Sequence, residues 1–356
     1  MSQWLVRGGN RLEGSLAVQG AKNAVLPILA ATILTGCETE LLNCPELLDV
    51  TAAMDILRYL GCEVQRQDDA VLVDSRGLTG CALGAEHTGR MRSSVIFLGA
   101  ILARCGEARL SLPGGCELGP RPIDLHLEAM EALGASVERR GNEVLCRAPK
   151  LKGAVIRLNL PSVGATENAM IAACGAEGET VITNAAREPE IQDLQSFLRA
   201  MGADMHGAGG PVITVRGFAP RKRVGHRVMP DRICAATLLC ACGCAGGDIE
   251  LRGVEPGHFQ TVTDGLAAMG CVVRQTRHHI RLRCDGPLQG GSTFITRPYP
   301  GFPTDAQPLM MAASLKAAGT TVFVRTFLKA GIARRRRCFA LARIYGPRAG
   351  LPWSRA

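Results

Sequence analysis

Apolar positions recur along this chain in two rhythms, and the rhythms themselves repeat. An Ala- and Leu-rich stretch with helical spacing, a small turn and a strand-like segment appear as A-A-T-I-L-T-G-C-E-T-E-L-L-N at 30–43 and G-A-I-L-A-R-C-G-E-A-R-L-S-L at 99–112. The pattern returns as I-A-A-C-G-A-E-G-E-T-V-I-T-N at 171–184, L-L-C-A-C-G-C-A-G-G-D-I-E-L at 238–251 and M-A-A-S-L-K-A-A-G-T-T-V-F-V at 311–324. Between copies lies a second helical stretch that stops at a glycine, in R-Y-L-G-C-E-V, A-L-G-A-S-V, A-M-G-A-D-M and A-M-G-C-V-V, with the glycines at 61, 134, 202 and 270. Each unit therefore predicts two helices and several short strands, an α/β arrangement repeated about every 70 residues.

The first helix of each unit begins at a polar residue: Lys22, Arg92, Ser162, Arg232 and Asp305, spaced 70, 70, 70 and 73 residues apart. Helix N-termini carry unpaired N–H groups and a positive dipole end. Equivalent starts in pseudo-symmetric units can converge, and the sequence predicts that they form a basket for anions, charged further by Lys22, Arg92 and Arg232. The fifth unit starts normally, but its second helix and terminating glycine are replaced by R-R-R-R-C-F-A-L-A-R-I-Y-G-P-R-A-G-L-P-W-S-R-A, and a sixth unit is missing.

A chain of 356 residues with 47% hydrophobic content can bury large cores, and its length suggests about two domains. The longest apolar stretch, Ala24 to Thr35, is interrupted by Pro27 and is too short to span a bilayer. The opening M-S-Q-W-L-V-R-G-G-N does not read as a secretory signal. With 15 cysteines at irregular spacings, the expectation is a reduced, cytoplasmic protein with free thiols. Cys240-x-Cys242-x-Cys244 lacks a C-x-x-C pair or a nearby histidine, and no metal is expected there. His278 and His279 sit in R-H-H-I-R-L-R, where alternation predicts a partly exposed strand. The net charge of +9 is unevenly spread. No acidic residue follows Asp305 while ten basic ones do, which leaves 31 basic against 32 acidic residues up to that point and a nearly neutral body.

Leu112 to Asp124 reads L-P-G-G-C-E-L-G-P-R-P-I-D, a loop built from glycine and proline that displays Cys116 five residues before Arg121. Pro122 fits the first turn of a following helix. Two readings stand for Cys116: a thiol made reactive by a nearby guanidinium and helix start, or a plain residue in a strand-to-helix connection.

Seven segments together resemble the UDP-N-acetylglucosamine 1-carboxyvinyltransferases, enolpyruvyl transferases. They are Q-G-A-K-N-A at 19–24, R-M-R-S-S at 90–94, L-P-G-G-C-E-L-G-P-R-P-I-D-L-H at 112–126, S-V-G-A-T-E-N at 162–168, N-A-A-R-E-P-E-I at 184–191, P-D-R-I at 230–233 and F-P-T-D-A-Q at 302–307. The resemblance implies a two-domain inside-out α/β barrel: one domain at 22–229 with three units and the cysteine loop, the other joining 1–21 to 230–325, with an aberrant tail at 326–356. It implies transfer of the enolpyruvyl group of phosphoenolpyruvate to the 3-hydroxyl of UDP-N-acetylglucosamine, the opening step of peptidoglycan synthesis and so of cell-wall growth and division.

By the same resemblance Lys22, Asn23 and Arg121 contact phosphoenolpyruvate, Cys116 is the proton donor and the site attacked by fosfomycin, and Asp305 orients or deprotonates the sugar hydroxyl. Arg92, Arg121, Pro122, Ile123, Asp124, Leu125, Ser162, Val163 and Gly164 would contact the sugar nucleotide. No metal or organic cofactor is implied, and the partners are small molecules, not nucleic acid or membrane, with a monomer expected.

The likeness fades at Arg325. Phe327 to Ile332, F-L-K-A-G-I, can be encoded so that a shifted frame reads F-E-S-R-H, the family's pattern, and the tail reads as a frameshift product. Without a sixth unit the second domain is expected to leave apolar faces uncovered. Alternative readings are a dead or weakly active homologue that only binds the sugar nucleotide, the related 3-phosphoshikimate transferase, and nucleic-acid binding through the four consecutive arginines at 334–337.

Overall fold

In the computed structural model, residues 5, 8–91, 93–111, 123–217 and 222–326 are described. The expectations for Arg92, Cys116, Arg121, Pro122 and the tail from 327 fall outside them. The predicted repeat is realised as helix, strand, helix and a two-strand hairpin, four times over. The first helices are Lys22–Ala31, Phe97–Cys105, Val163–Cys174 and Arg232–Ala245, and a fifth, Gln307–Ser314, opens the last unit. The second helices are Leu48–Tyr59, Asp124–Ala132, Pro189–Ala200 and Gln260–Ala268. Gly61, Gly134, Gly202 and Gly270 follow them with φ of 99°, 90°, 110° and 102°. This left-handed backbone is open to glycine without a Cβ penalty, so each glycine ends its helix by local sterics alone.

Four sheets share one strand order. Glu38–Leu42 pairs in parallel with Val224–Arg227 on one side and antiparallel with Ala70–Asp74 on the other, which in turn pairs with Glu63–Gln67. Glu107–Ser111, Glu179–Thr183 and Gly247–Arg252 occupy the equivalent position in their own sheets. The last unit gives a parallel pair, Thr293–Thr296 with Val322–Arg325. Alternating burial along His279–Cys284 fits the half-exposed strand expected from R-H-H-I-R-L-R.

The helices lie inside and the sheets outside. Ala24 through Ala31 are all buried, as are Ala165 through Cys174, so these helices are apolar on every side because protein surrounds them. Pro27 lies inside this helix without breaking it. Burial of eight consecutive residues around it offsets the lost backbone bond, which costs about 3 kcal/mol in an isolated helix. Among the described residues no helix is long and apolar enough to cross a membrane.

Two separate clusters of buried side chains form, one spanning Ala21 to Met229 and one joining Val18 to residues between Ala235 and Ala313. The chain passes between them twice, and the two passages run side by side. Ala21 N–H donates to Met229 O at 2.8 Å, and Asp231 N–H donates to Gln19 O at 2.9 Å. Gly20 is required at this crossing, since a Cβ on it would sit 1.8 Å from the carbonyl oxygen of Asn43.

Candidate functional site

The chemistry gathers where helix starts meet. The Lys22–Ala31 helix has no side chain of its own capping its N-terminus. Asp231 supplies one from the other passage: its Oδ1 accepts from Ile233 and Cys234 N–H at 2.8 and 3.0 Å, while its Oδ2 lies 3.5 Å from Lys22 N. One carboxylate thus serves the starts of two helices, where negative charge is favoured by both dipoles. The Lys22 ammonium lies 2.9 Å from Asp49, an acidic residue in the first turn of Leu48–Tyr59. Both partners of that pair are half-exposed, and Asn23 beside them is exposed.

Arg232 differs from its expected role. It is paired with Glu190 through Nε, 2.9 and 3.2 Å from the two carboxylate oxygens, and the residues are only 8% and 2% exposed. Its guanidinium also lies 5.9 Å from the Tyr299 ring centroid. Glu190 neutralises the charge, so Arg232 is a seam residue and not an available cation of an anion basket. Two more carboxyls stand near the pair. Burial, then repulsion from Glu190 and Glu188, pushes Glu167 well above the usual carboxylate range, and burial also raises Glu188.

The second gathering involves the segments around Ser162 and Asp124. Ser162 caps its own helix, its Oγ accepting from Ala165 N–H at 3.4 Å, and Val163 and Gly164 are partly exposed. Ile123 and Leu125 are partly buried, and Asp124 is exposed and paired with Arg139. His126, in the same first turn, is buried and hydrogen-bonded to Asn168 at 2.9 Å. Burial pushes its imidazole down to about 4.

Asp305 is exposed, immediately before the Ala306 N-cap of Gln307–Ser314, and no described residue hydrogen-bonds its carboxylate. That helix packs on Arg232–Ala245. The structure therefore brings Lys22 to the Arg232 helix start, and Ser162–Gly164 to the Asp124 turn, but among the described residues no hydrogen bond or ion pair joins Asp305 to either group. None of the described cysteines is in a disulfide, and burial raises the buried thiols Cys44 and Cys240 to about 12, which keeps them protonated.

Asp49, Glu190, Asp231, His126 and Asn168 were not singled out by sequence reasoning. Asp231 had a local signal, an acidic residue just before an apolar helical run. Asp49 had a weaker one, an acid at a helix start. Nothing local marks the partners of Glu190 or Asn168.

Residues 6–326 match the sequence profile of the EPSP synthase (3-phosphoshikimate 1-carboxyvinyltransferase) family. The UDP-N-acetylglucosamine 1-carboxyvinyltransferase 1 of Symbiobacterium thermophilum is 46% identical over 334 residues, covering 92% of this chain and 75% of its relative. The UDP-N-acetylglucosamine 1-carboxyvinyltransferase of Halothermothrix orenii is 42% identical over 326 residues, covering 92% and 78%. Among solved structures, the enolpyruvyl transferase NikO from Streptomyces tendae superposes with a TM-score of 0.80 at 23% identity, over 92% of this chain and 79% of that one. An EPSP synthase from Acinetobacter baumannii gives 0.63 at 22%, over 89% and 74%. At these identities the structural likeness speaks for the fold.

Proposed function

Since the chain belongs to the UDP-N-acetylglucosamine 1-carboxyvinyltransferase family of enolpyruvyl transferases, we propose that it moves the enolpyruvyl group of phosphoenolpyruvate onto the 3-hydroxyl of UDP-N-acetylglucosamine and releases phosphate. The observation that carries this reading is the start of the Lys22–Ala31 helix. It sets an ammonium and an exposed Asn23 beside a helix start whose first N–H is held by Asp231 only at 3.5 Å, within the Q-G-A-K-N-A segment. Such a start suits a phosphate or carboxylate, and fixed positive charge is most effective where negative charge grows in the transition state.

In this reading Lys22, Asn23 and Arg121 hold phosphoenolpyruvate. Arg92, Arg121 to Leu125 and Ser162 to Gly164 hold the sugar nucleotide. Asp305 takes up or orients the hydroxyl proton, and Cys116 delivers a proton to the vinyl carbon. The sugar oxygen bonds to the phosphate-bearing carbon as the neighbouring CH2 is protonated to a methyl group, and phosphate leaves as that methyl group gives a proton back and the enolpyruvyl double bond is restored. The two bodies, 22–229 and 1–21 with 230–325, would face each other across the substrates, a division that their two separate cores support. Free thiols suit a reduced cytoplasm, and the step would open peptidoglycan synthesis.

Phosphate release with both substrates, run beside Cys116→Ala and Lys22→Ala, tests the reading. Release that needs both substrates and disappears in each variant is the expected result. Release from neither the parent chain nor any mixture, together with no calorimetric binding of UDP-N-acetylglucosamine, overturns it. Binding without turnover would restrict the reading to the sugar-nucleotide site.

A further inference from the structure

One buried amide joins three segments that are far apart in the chain. Asn168, fully buried in the Val163–Cys174 helix, donates from Nδ2 to Val95 O at 2.7 Å, and its Oδ1 accepts from Gly99 N–H at 2.7 Å. The same Nδ2 lies 2.9 Å from Nδ1 of His126. These contacts fix every hydrogen. A flipped amide would set two oxygens against each other at Val95, so the NH2 group faces Val95 and its second hydrogen faces His126. His126 Nδ1 must then accept, and the ring proton sits on Nε2. The ring edge bearing that proton packs on the backbone of Gly164, where a Cβ would come 3.1 Å from Cε1 and 3.4 Å from Nε2.

The three segments held by this amide are the turn and helix after Arg92 (94–105), the helix start after Arg121 (123–126), and the helix opened by Ser162 to Gly164. They are the segments assigned above to the sugar nucleotide. The Lys22 and Asp305 helix starts make no hydrogen bond with Asn168 among the described residues. We propose that Asn168, acting with His126 locked as its Nε2–H tautomer, is the positioning residue that sets the register of the three sugar-nucleotide segments. The inference rests on the functional reading above, which supplies the ligand. A mid-helix asparagine is a poor helix former and a fully buried amide must be satisfied. Both costs are incurred here at a point where three loops must agree to within about 0.5 Å to recognise one ligand.

The test uses the full chain and three substitutions. Asn168→Asp keeps the acceptor for Gly99 N–H, sets an oxygen against Val95 O, and obliges His126 to carry a proton on Nδ1 if the contact is to survive. His126→Phe keeps a ring but removes the acceptor, whereas His126→Gln restores an amide oxygen for Asn168. Calorimetric binding of UDP-N-acetylglucosamine should weaken on the order of tenfold or more in Asn168→Asp and His126→Phe, since a buried polar group left without its partner bears its full desolvation cost. His126→Gln should recover most of that loss. Nitrogen-15 NMR should show His126 neutral with its proton on Nε2 in the parent chain, and doubly protonated near neutral pH in Asn168→Asp. Parent binding with all three variants within twofold overturns the positioning role while leaving the functional reading intact, and so does a parent tautomer with the proton on Nδ1. No binding by the parent chain overturns both.

Discussion

Removing Glu190 should damage the fold more than any surface charge change, and the reason lies in the seam it closes. Arg232 is 8% exposed and meets both oxygens of a carboxylate that is 2% exposed. In Glu190→Ala the guanidinium stays buried and loses its counterion. Taking away one partner of such a pair costs about 3–5 kcal/mol, because an uncompensated buried charge remains. Two features pull the figure toward the lower end. Tyr299 offers a ring face at 5.9 Å, worth about 0.5–2 kcal/mol, and Glu188 is close enough for its carboxyl to feel Arg232. The expected loss is therefore about 3 kcal/mol.

The matching control is the apolar double replacement Glu190→Leu with Arg232→Met. It removes both charges and the desolvation penalty together, and replacing a buried pair by packed apolar groups is often neutral or stabilising. Urea unfolding followed by circular dichroism at pH 7, with native-state hydrogen exchange to localise the loss, gives both numbers. With Glu190→Leu and Arg232→Met also measured singly, an interaction term of about 3 kcal/mol should appear in the cycle. A Glu190→Ala loss below about 1 kcal/mol would refute the argument, because that is the range of exposed pairs that water already screens.

Glu167 and Glu188 have folded-state values raised above the ordinary 4.5, so the native state holds their protons more tightly than the unfolded chain does. The stability this gives is fully present below about pH 4.5 and is lost as pH rises through the folded values, and Glu167→Gln should flatten that decline and raise the melting temperature at pH 8. Asp49→Asn, at a half-exposed pair, should change stability by less than about 1 kcal/mol in urea titrations, and the difference should shrink further in 1 M salt. Gly20→Ala should cost about 1–3 kcal/mol or prevent folding, as its Cβ would meet the Asn43 carbonyl at 1.8 Å, and a melting temperature within 1 °C of the parent would contradict the close approach. Phe197→Ala, at a fully buried ring, should cost about 3–5 kcal/mol in the same titrations.

The parts of this fold that could be read in advance are those decided within a few residues. Gly61, Gly134, Gly202 and Gly270 end helices because of backbone sterics at a single position, and their φ values follow. The repeat fixes which residues open the first helices, so Lys22, Ser162 and Arg232 were found in phase, with the fifth helix beginning two residues after Asp305. Pro27 shows a local penalty overridden by packing that comes from the surrounding core.

Electrostatics at those helix starts was not legible, and the reason is distance along the chain. Equivalent positions have three different fates. Lys22 meets Asp49 from the next helix of its own unit and stays half-exposed, able to exchange that partner for a ligand. Ser162 turns inward to cap its own helix. Arg232 meets Glu190, 42 residues earlier, and is buried and neutralised. A sequence pattern gives the place of each helix start but not the charge that survives there, because each survivor depends on a partner brought in by the fold. The same reasoning separates Asn168 from its neighbours in an apolar helix. Periodicity says only that its side chain is buried, whereas its partners at 95, 99 and 126 meet it only once the second and third units have closed on each other. In a repeated architecture, then, backbone geometry is copied from unit to unit, while specificity is written by the few side chains that break the copy. Lys22 and Asn168 are the two to alter first, since one should change how an anion is held and the other how the sugar nucleotide is framed.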